Sequence, residues 1–367
     1  MPTLARLRSW CWPEASAPPP SAYDTILPDQ PMFRAMEYRF APQKHPEFQN
    51  DYRLLATREM PQRLAMEHIA QLLEREKIRF APFKGAYLAA ACYPDPALRS
   101  RCDIDLLAAP ADFERALKIL EADGWQARYR YRHEHHHPCM FKQQVVLELH
   151  FRLPNLSGSA ERQWELFVPE GAGFRHHLPP ELELVTLFNH AFNHSWINGA
   201  QMLADCGFLL GHCGVPDWIK VDELAREFAI PGPELLFQAF PDFFPEDFMP
   251  PGAPADRKIA GLLRKTILSA INIKDNRDTL VMTSADRFTL PWWRDRLSGF
   301  RPSSLRMSQH LPARGAYGRL AAAYVKVSCE KLRLACRGLH SKDETTVAAL
   351  RDMEALKNHL TRPRNGR

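Results

Sequence analysis

The chain lacks any stretch of roughly 18 consecutive apolar residues, which removes the expectation of a membrane-spanning helix. It also lacks a Cys-x-x-Cys pair. Its 8 cysteines (Cys11, Cys92, Cys102, Cys139, Cys206, Cys213, Cys329 and Cys336) are scattered, so they read as thiols in a reducing compartment. Residues 1–23 carry arginines but no apolar core before Pro13 and Pro18-Pro19-Pro20, so a secretory signal is not expected and a cytoplasmic location is. There is no Walker-type Gly-rich loop, which argues against a P-loop ATPase, and no Gly-x-Ser-x-Gly elbow of a serine hydrolase. Internal repeats and coiled-coil heptads are missing too.

What is present is ordinary globular material: 367 residues, 45% hydrophobic and 25% charged, with 31 prolines that imply many loops and interrupted helices. The net charge of +5 is uneven. Residues 301–367 hold 14 Lys/Arg against 5 Asp/Glu, leaving the first 300 slightly acidic. Such a tail reads first as a solvated basic helix and a frayed end. Its alternative is a nucleic-acid-binding module.

Punctuation and periodicity divide the chain into a loosely ordered lead (1–49), an α/β core (50–178), a helical region (179–340) and a basic tail (341–367). Asn50 to Lys77 reads as an amphipathic helix with a break possible at Pro61. Strands are expected at 78–83, 103–107, 125–132, 139–143 and 145–152, with helices from 86 and at 111–123. Beyond Pro180, helices are expected at 181–194, 199–212, 217–229, 255–272 and 315–337, interrupted by a proline-containing loop at 287–311.

The chemistry concentrates between Ile78 and Leu107. A strand leads into Lys84-Gly85-Ala86, and eighteen residues after Gly85 comes Asp103-Ile104-Asp105-Leu106-Leu107. Alternate residues of a strand share a face, so Asp103 and Asp105 converge while Ile104 and Leu106 face the core. In Val145-Val146-Leu147-Glu148-Leu149-His150-Phe151, Glu148 and His150 lie opposite Leu147 and Leu149. A carboxylate in so apolar a strand needs a partner. A metal ion shared among Asp103, Asp105 and Glu148 would supply one, and adjacent hard oxygen ligands suit Mg²⁺. The competing reading is a solvated strand end, with Glu148 paired to Arg99 or Arg101.

A strand, glycine turn, helix, Asp-x-Asp strand and third acidic strand are similar to the DNA polymerase beta-type nucleotidyltransferase superfamily. More closely, Lys84-Gly85-Ala86, Tyr93-Pro94-Asp95, the segment from Arg99 to Leu107 and Glu148-Leu149-His150-Phe151-Arg152-Leu153 resemble a bacterial group known as uncharacterised nucleotidyltransferase family proteins. The resemblance covers roughly residues 60–240. It implies a small mixed-sheet α/β core with flanking helices and a mostly helical C-terminal region. It also implies transfer of a nucleoside monophosphate from an NTP, ATP being the expected one, to an unidentified acceptor. In that scheme Asp103, Asp105 and Glu148 are catalytic and hold Mg²⁺, the Gly85 turn offers backbone N–H groups to the phosphates, and Lys84 adds a charge. Ala86 and Arg101 complete the nucleotide contacts.

Two departures stand out. Ala86 replaces a hydroxyl residue common in the superfamily, and Glu148 an aspartate. A catalytically inactive nucleotide-binding or scaffold protein is therefore the alternative.

Histidines offer further candidates. His133-Glu134-His135-His136-His137 spells a zinc-protease motif, but Pro138 and the strand-like Tyr129 to Arg132 oppose the helix such a site requires. A polar loop near the nucleotide, with His137 facing the site, is the expectation. His150, His190 and His194 are candidates for acceptor or base contacts, with Asp205 able to pair with either of the last two.

Overall fold

The computed structural model describes residues 2–27, 30–127, 138–193, 199–230, 232–252, 257–268 and 356. The His133 to His137 cluster, His194, the proline-containing loop at 287–311, the helix expected at 315–337 and nearly all of the basic tail lie outside the described residues.

In chain order the first elements are α1 (Leu4–Cys11), α2 (Pro20–Tyr23), α3 (Pro31–Phe40), α4 (Gln49–Arg75), β1 (Phe80–Pro82), α5 (Gly85–Ala91), β2 (Ile104–Ala108) and α6 (Phe113–Ala122). Next come β3 (Gln126–Ala127), β4 (Cys139–Lys142), β5 (Val145–His150), α7 (Ala160–Trp164), and the short strands β6 (Val168–Pro169) and β7 (His176–His177). Helices α8 (Pro180–Asn193), α9 (Gly199–Cys213), α10 (Trp218–Glu227), α11 (Glu234–Ala239) and α12 (Arg257–Leu268) follow.

The central sheet has five strands in the order β1-β2-β5-β4-β3. It is mixed: β2 and β5 run parallel, and the other neighbours are antiparallel. Alternation along the strands sorts side chains by face. Ile104, Leu106, Leu147 and Leu149 join Met140 in a core completed by Ile69, Leu72 and Leu73 of α4 and by Phe113, Ala116 and Leu120 of α6. Helix α6 repeats its apolar residues at helical spacing and stops where Gly124 takes a left-handed conformation (φ 93°) that a side chain would resist. The opposite face of β2 and β5 carries Asp105, Glu148 and His150 beside Leu107 and Val146.

Two expectations need correction. Helix α4 runs unbroken through Pro61. Its buried residues lie on both sides, Leu55 and Glu59 before and Gln62 and Ile69 after, so packing holds both segments although proline forfeits a backbone hydrogen bond. The stretch read as a loose lead is also structured. Leu4, Leu7 and Cys11 form the buried stripe of α1, and Arg8 donates from Nη1 to the Phe243 carbonyl at 2.7 Å. Thr3 caps the helix through its hydroxyl. Helix α1 sits against two glycines of α9: a Cβ at Gly211 would lie 2.2 Å from the Cys11 carbonyl oxygen, and one at Gly207 would lie 2.7 Å from Cys11 Sγ. Only glycine permits so close an approach.

Candidate active site

Asp105 is the hub. The parallel register places it opposite Glu148, and Leu107 opposite His150, so period-two alternation brings both acids to one face from neighbouring strands. Asp105 Oδ1 accepts from Lys84 Nζ at 2.9 Å and from His150 Nε2 at 3.2 Å. His150 Nε2 also stands 3.6 Å from Glu148 Oε2. Ligand atoms of Asp105, Glu148 and His150 all fall within 4.8 Å of one another, a donor set that can hold a metal ion.

Asp103 lies just before β2 rather than within it. It stands outside that trio but within range of its charge: burial, then the negative Asp105 and Glu148, push its carboxyl up to about 6. Asp105 goes the other way. Burial pulls its carboxyl upward, but the Lys84 ammonium and the His150 hydrogen bond overcome this and hold it well below the usual carboxylate range. Burial likewise disfavours the Lys84 ammonium, and the surrounding acids more than restore it, raising its pKa. Asp103, Asp105 and Glu148 all act on the one lysine. Hard carboxylate oxygens gathered in this way fit a divalent cation.

Lys84 reaches Asp105 through an unusual backbone. Its φ of 48° and ψ of −130° are sparsely populated for a residue with a side chain, so the surroundings must hold it there. Its N–H donates to Glu183 Oε1 of α8 at 3.0 Å. Glu183 is fully buried, and burial pushes its carboxyl up to about 8. Its second oxygen, Oε2, has no hydrogen-bond partner among the described residues.

The neighbouring glycine also has a packing reason to be small. Positive φ falls on Lys84, whereas Gly85 makes room: a Cβ there would come within 3.2 Å of Arg99 Nη1. Of the turn's N–H groups, that of Lys84 is bound to Glu183 and that of Ala86 to the Phe83 carbonyl at 3.2 Å. Ala86 packs in the apolar core.

The expected nucleotide contact Arg101 is committed elsewhere. It donates from Nε to Glu59 Oε2 of α4 at 2.9 Å, and both side chains are buried. Arg99 forms a two-pronged pair with Asp205 of α9, at 2.7 and 2.9 Å, and Tyr93 donates its hydroxyl to the same carboxylate at 2.7 Å. Gln62 and Gln201 donate to the carbonyls of Arg101 and Ser100. The segment leading into Asp103 is thus anchored to α4 and α9. Among the described residues, Asp205 meets Arg99 and Tyr93. His150 is fully buried and packs edge-on against Phe83, so it steadies Asp105 instead of reaching an acceptor or base. His190 is half-buried in the last turn of α8. His137 and His194 lie outside the described residues.

Glu183 and Glu59 were not among the residues singled out from sequence, and Asp205 was considered only as a partner for His190 or His194. A signal did exist, since Glu183 and Asp205 interrupt helices whose neighbours are almost all apolar, where an unpartnered charge is costly.

A mixed sheet that sets an Asp-x-Asp segment beside a third acidic strand, behind a Lys-Gly turn, defines a nucleotidyltransferase core. The chain belongs to the uncharacterised nucleotidyltransferase family, whose sequence profile matches residues 35–235, more than half of its length. Membership implies an enzyme that acts on a nucleotide. No curated protein matches the chain. Among the described residues, no helix is long and apolar enough to cross a membrane.

Proposed function

We propose that the protein transfers a nucleoside monophosphate from an NTP, ATP being the expected one, to an acceptor hydroxyl, with release of pyrophosphate. The observation that carries this reading is the register of β2 with β5, which sets Asp105 beside Glu148 while Asp103 feels both charges. Asp103, Asp105 and Glu148 would hold Mg²⁺, which supplies charge neutralisation for the polyphosphate and alignment of the reacting oxygens. Glu148, half-buried in the trio, would accept the proton of the acceptor hydroxyl. Lys84 contributes positive charge toward the phosphates, and the Gly85 N–H adds a donor. His137, His190 and His194 stay candidates for the acceptor or base side.

Pyrophosphate release measured with four NTPs and a panel of sugars, small hydroxyl compounds, peptides and RNA tests the activity directly. Turnover is expected with Mg²⁺ and one class of acceptor. In Glu148→Gln, the rate should fall by about 10²-fold or more if the carboxylate acts as the base. A Glu148→Gln enzyme as fast as wild type would remove that role.

A further inference from the structure

Lys84 carries a consequence that a phosphate-binding role alone does not. Its ammonium sits 2.9 Å from Asp105 Oδ1, and that same oxygen also receives His150 Nε2. Both side chains of the pair are only 10% exposed, so water screens the contact little. Glu148 and Asp103 reinforce the attraction on the ammonium. A divalent cation ligated by Asp105 would therefore compete with Lys84 for one oxygen and meet a second positive charge in a poorly screened place.

We propose that Lys84 is the built-in counter-cation of this site, and that it makes divalent-cation binding conditional on the nucleotide: the ion is accepted by Asp105 once a polyphosphate has drawn the ammonium away. This rests on the nucleotidyltransferase reading given above. The anchorage of the lysine supports it. Glu183 holds the Lys84 N–H from a fully buried position, and the Phe83 ring lies 5.0 Å from Nζ, so the backbone is fixed and a transfer of the ammonium from Asp105 to a phosphate would fall to rotations of the four-carbon stem. One charge on one tether then serves two anions in turn. It neutralises Asp105 before the nucleotide arrives and a phosphate afterwards.

The predicted coupling is measurable without turnover. Mn²⁺ serves as the probe, with free ion counted by electron paramagnetic resonance on the full-length protein, with and without a non-hydrolysable ATP analogue. Without nucleotide, Lys84→Met should bind Mn²⁺ about ten-fold or more tightly than wild type, the size of a typical coupling between sites. With the analogue present, wild type should tighten to near the Lys84→Met level, while Lys84→Met should gain little and should bind the analogue itself more weakly. Asp105→Asn should bind the ion poorly throughout.

Equal Mn²⁺ affinity for wild type and Lys84→Met without nucleotide would overturn the proposal and leave the metal site standing. Failure of every form to bind Mn²⁺ even with the analogue would overturn the metal reading itself. If Lys84→Met does not fold, wild type alone decides: Mn²⁺ affinity that does not change on adding the analogue refutes the coupling.

Discussion

Two clusters of buried charge lie within a few residues of one another in sequence, and they are built on opposite plans. Around Arg99 and Arg101 every charge is matched: Asp205 takes two bonds from Arg99 and one from Tyr93, and Glu59 grips Arg101. Around Asp105 like charges gather instead, with Asp103, Asp105 and Glu148 all acting on Lys84 and the first of them pushed up by burial and by the other two. A matched buried pair fixes geometry, because removing one partner strands the other in a low-dielectric place. A gathering of like charges repels itself and is a mark of places where another charge, a metal or a substrate, is received.

Paired isosteric substitutions should separate the two plans. Asp105→Asn is expected to lower turnover by about 10²- to 10³-fold, since its charge serves the transition state. The thermal midpoint should fall as well, because the buried Lys84 loses its 2.9 Å partner, but by less than in the second variant, since Asp103 and Glu148 still attract the ammonium. Asp205→Asn should weigh mainly on stability, costing about 3–5 kcal/mol by leaving Arg99 buried without its counter-charge. Denaturant melts and steady-state rates on both variants make the comparison. A stable, active Asp205→Asn would mean that the anchoring pair contributes little.

A smaller effect is expected at the notch of α9. Gly211→Ala forces a methyl group against the Cys11 carbonyl and should cost about 1–3 kcal/mol, with α1 displaced, as read by the melting midpoint and by proteolysis near the N-terminus. An unchanged midpoint and cleavage pattern would show that α1 adjusts freely.

The finest test concerns pH. Glu183 has its carboxyl raised from 4.5 to about 8 in the folded protein, so between those values the folded state keeps a proton that the unfolded state has lost. Its contribution to stability is full below about pH 4.5 and falls as pH rises toward 8. Glu183→Gln mimics the protonated acid, keeps an acceptor for the Lys84 N–H, and should flatten that decline. Melting midpoints of wild type and variant across pH 5 to 8 should converge at the acid end. A variant whose midpoint declines as steeply as wild type would assign the slope to other groups.

The acidic strands were legible because strand alternation is a local rule: Asp105 opposite Leu106, and Glu148 opposite Leu149, can be read from neighbours alone. The partners of Arg99, Arg101 and Lys84 were not legible. Asp205 and Glu183 arrive from helices about a hundred residues downstream, and only the packing of α8 and α9 decides which cation each meets. The strain in the turn was not legible for a related reason. Glycine is the usual owner of positive φ, yet here Lys84 has it and Gly85 is small where Arg99 passes close by. In the first residues, prolines and small side chains masked a helical stripe at Leu4, Leu7 and Cys11 that the spacing already carried.

The seating of α1 has a practical bearing on how the protein is handled. Helix α9 presents Asp205 to Arg99 and, two and six residues later, the glycine notch to Cys11. A shortened version starting after Trp12, trimmed as though those residues were a dispensable leader, would bare that notch and the apolar residues around it. It would also remove support from the helix that steadies the approach to Asp103. Low solubility or weak activity in such a fragment would then report a missing piece of scaffold, not a defect in the chemistry of the site.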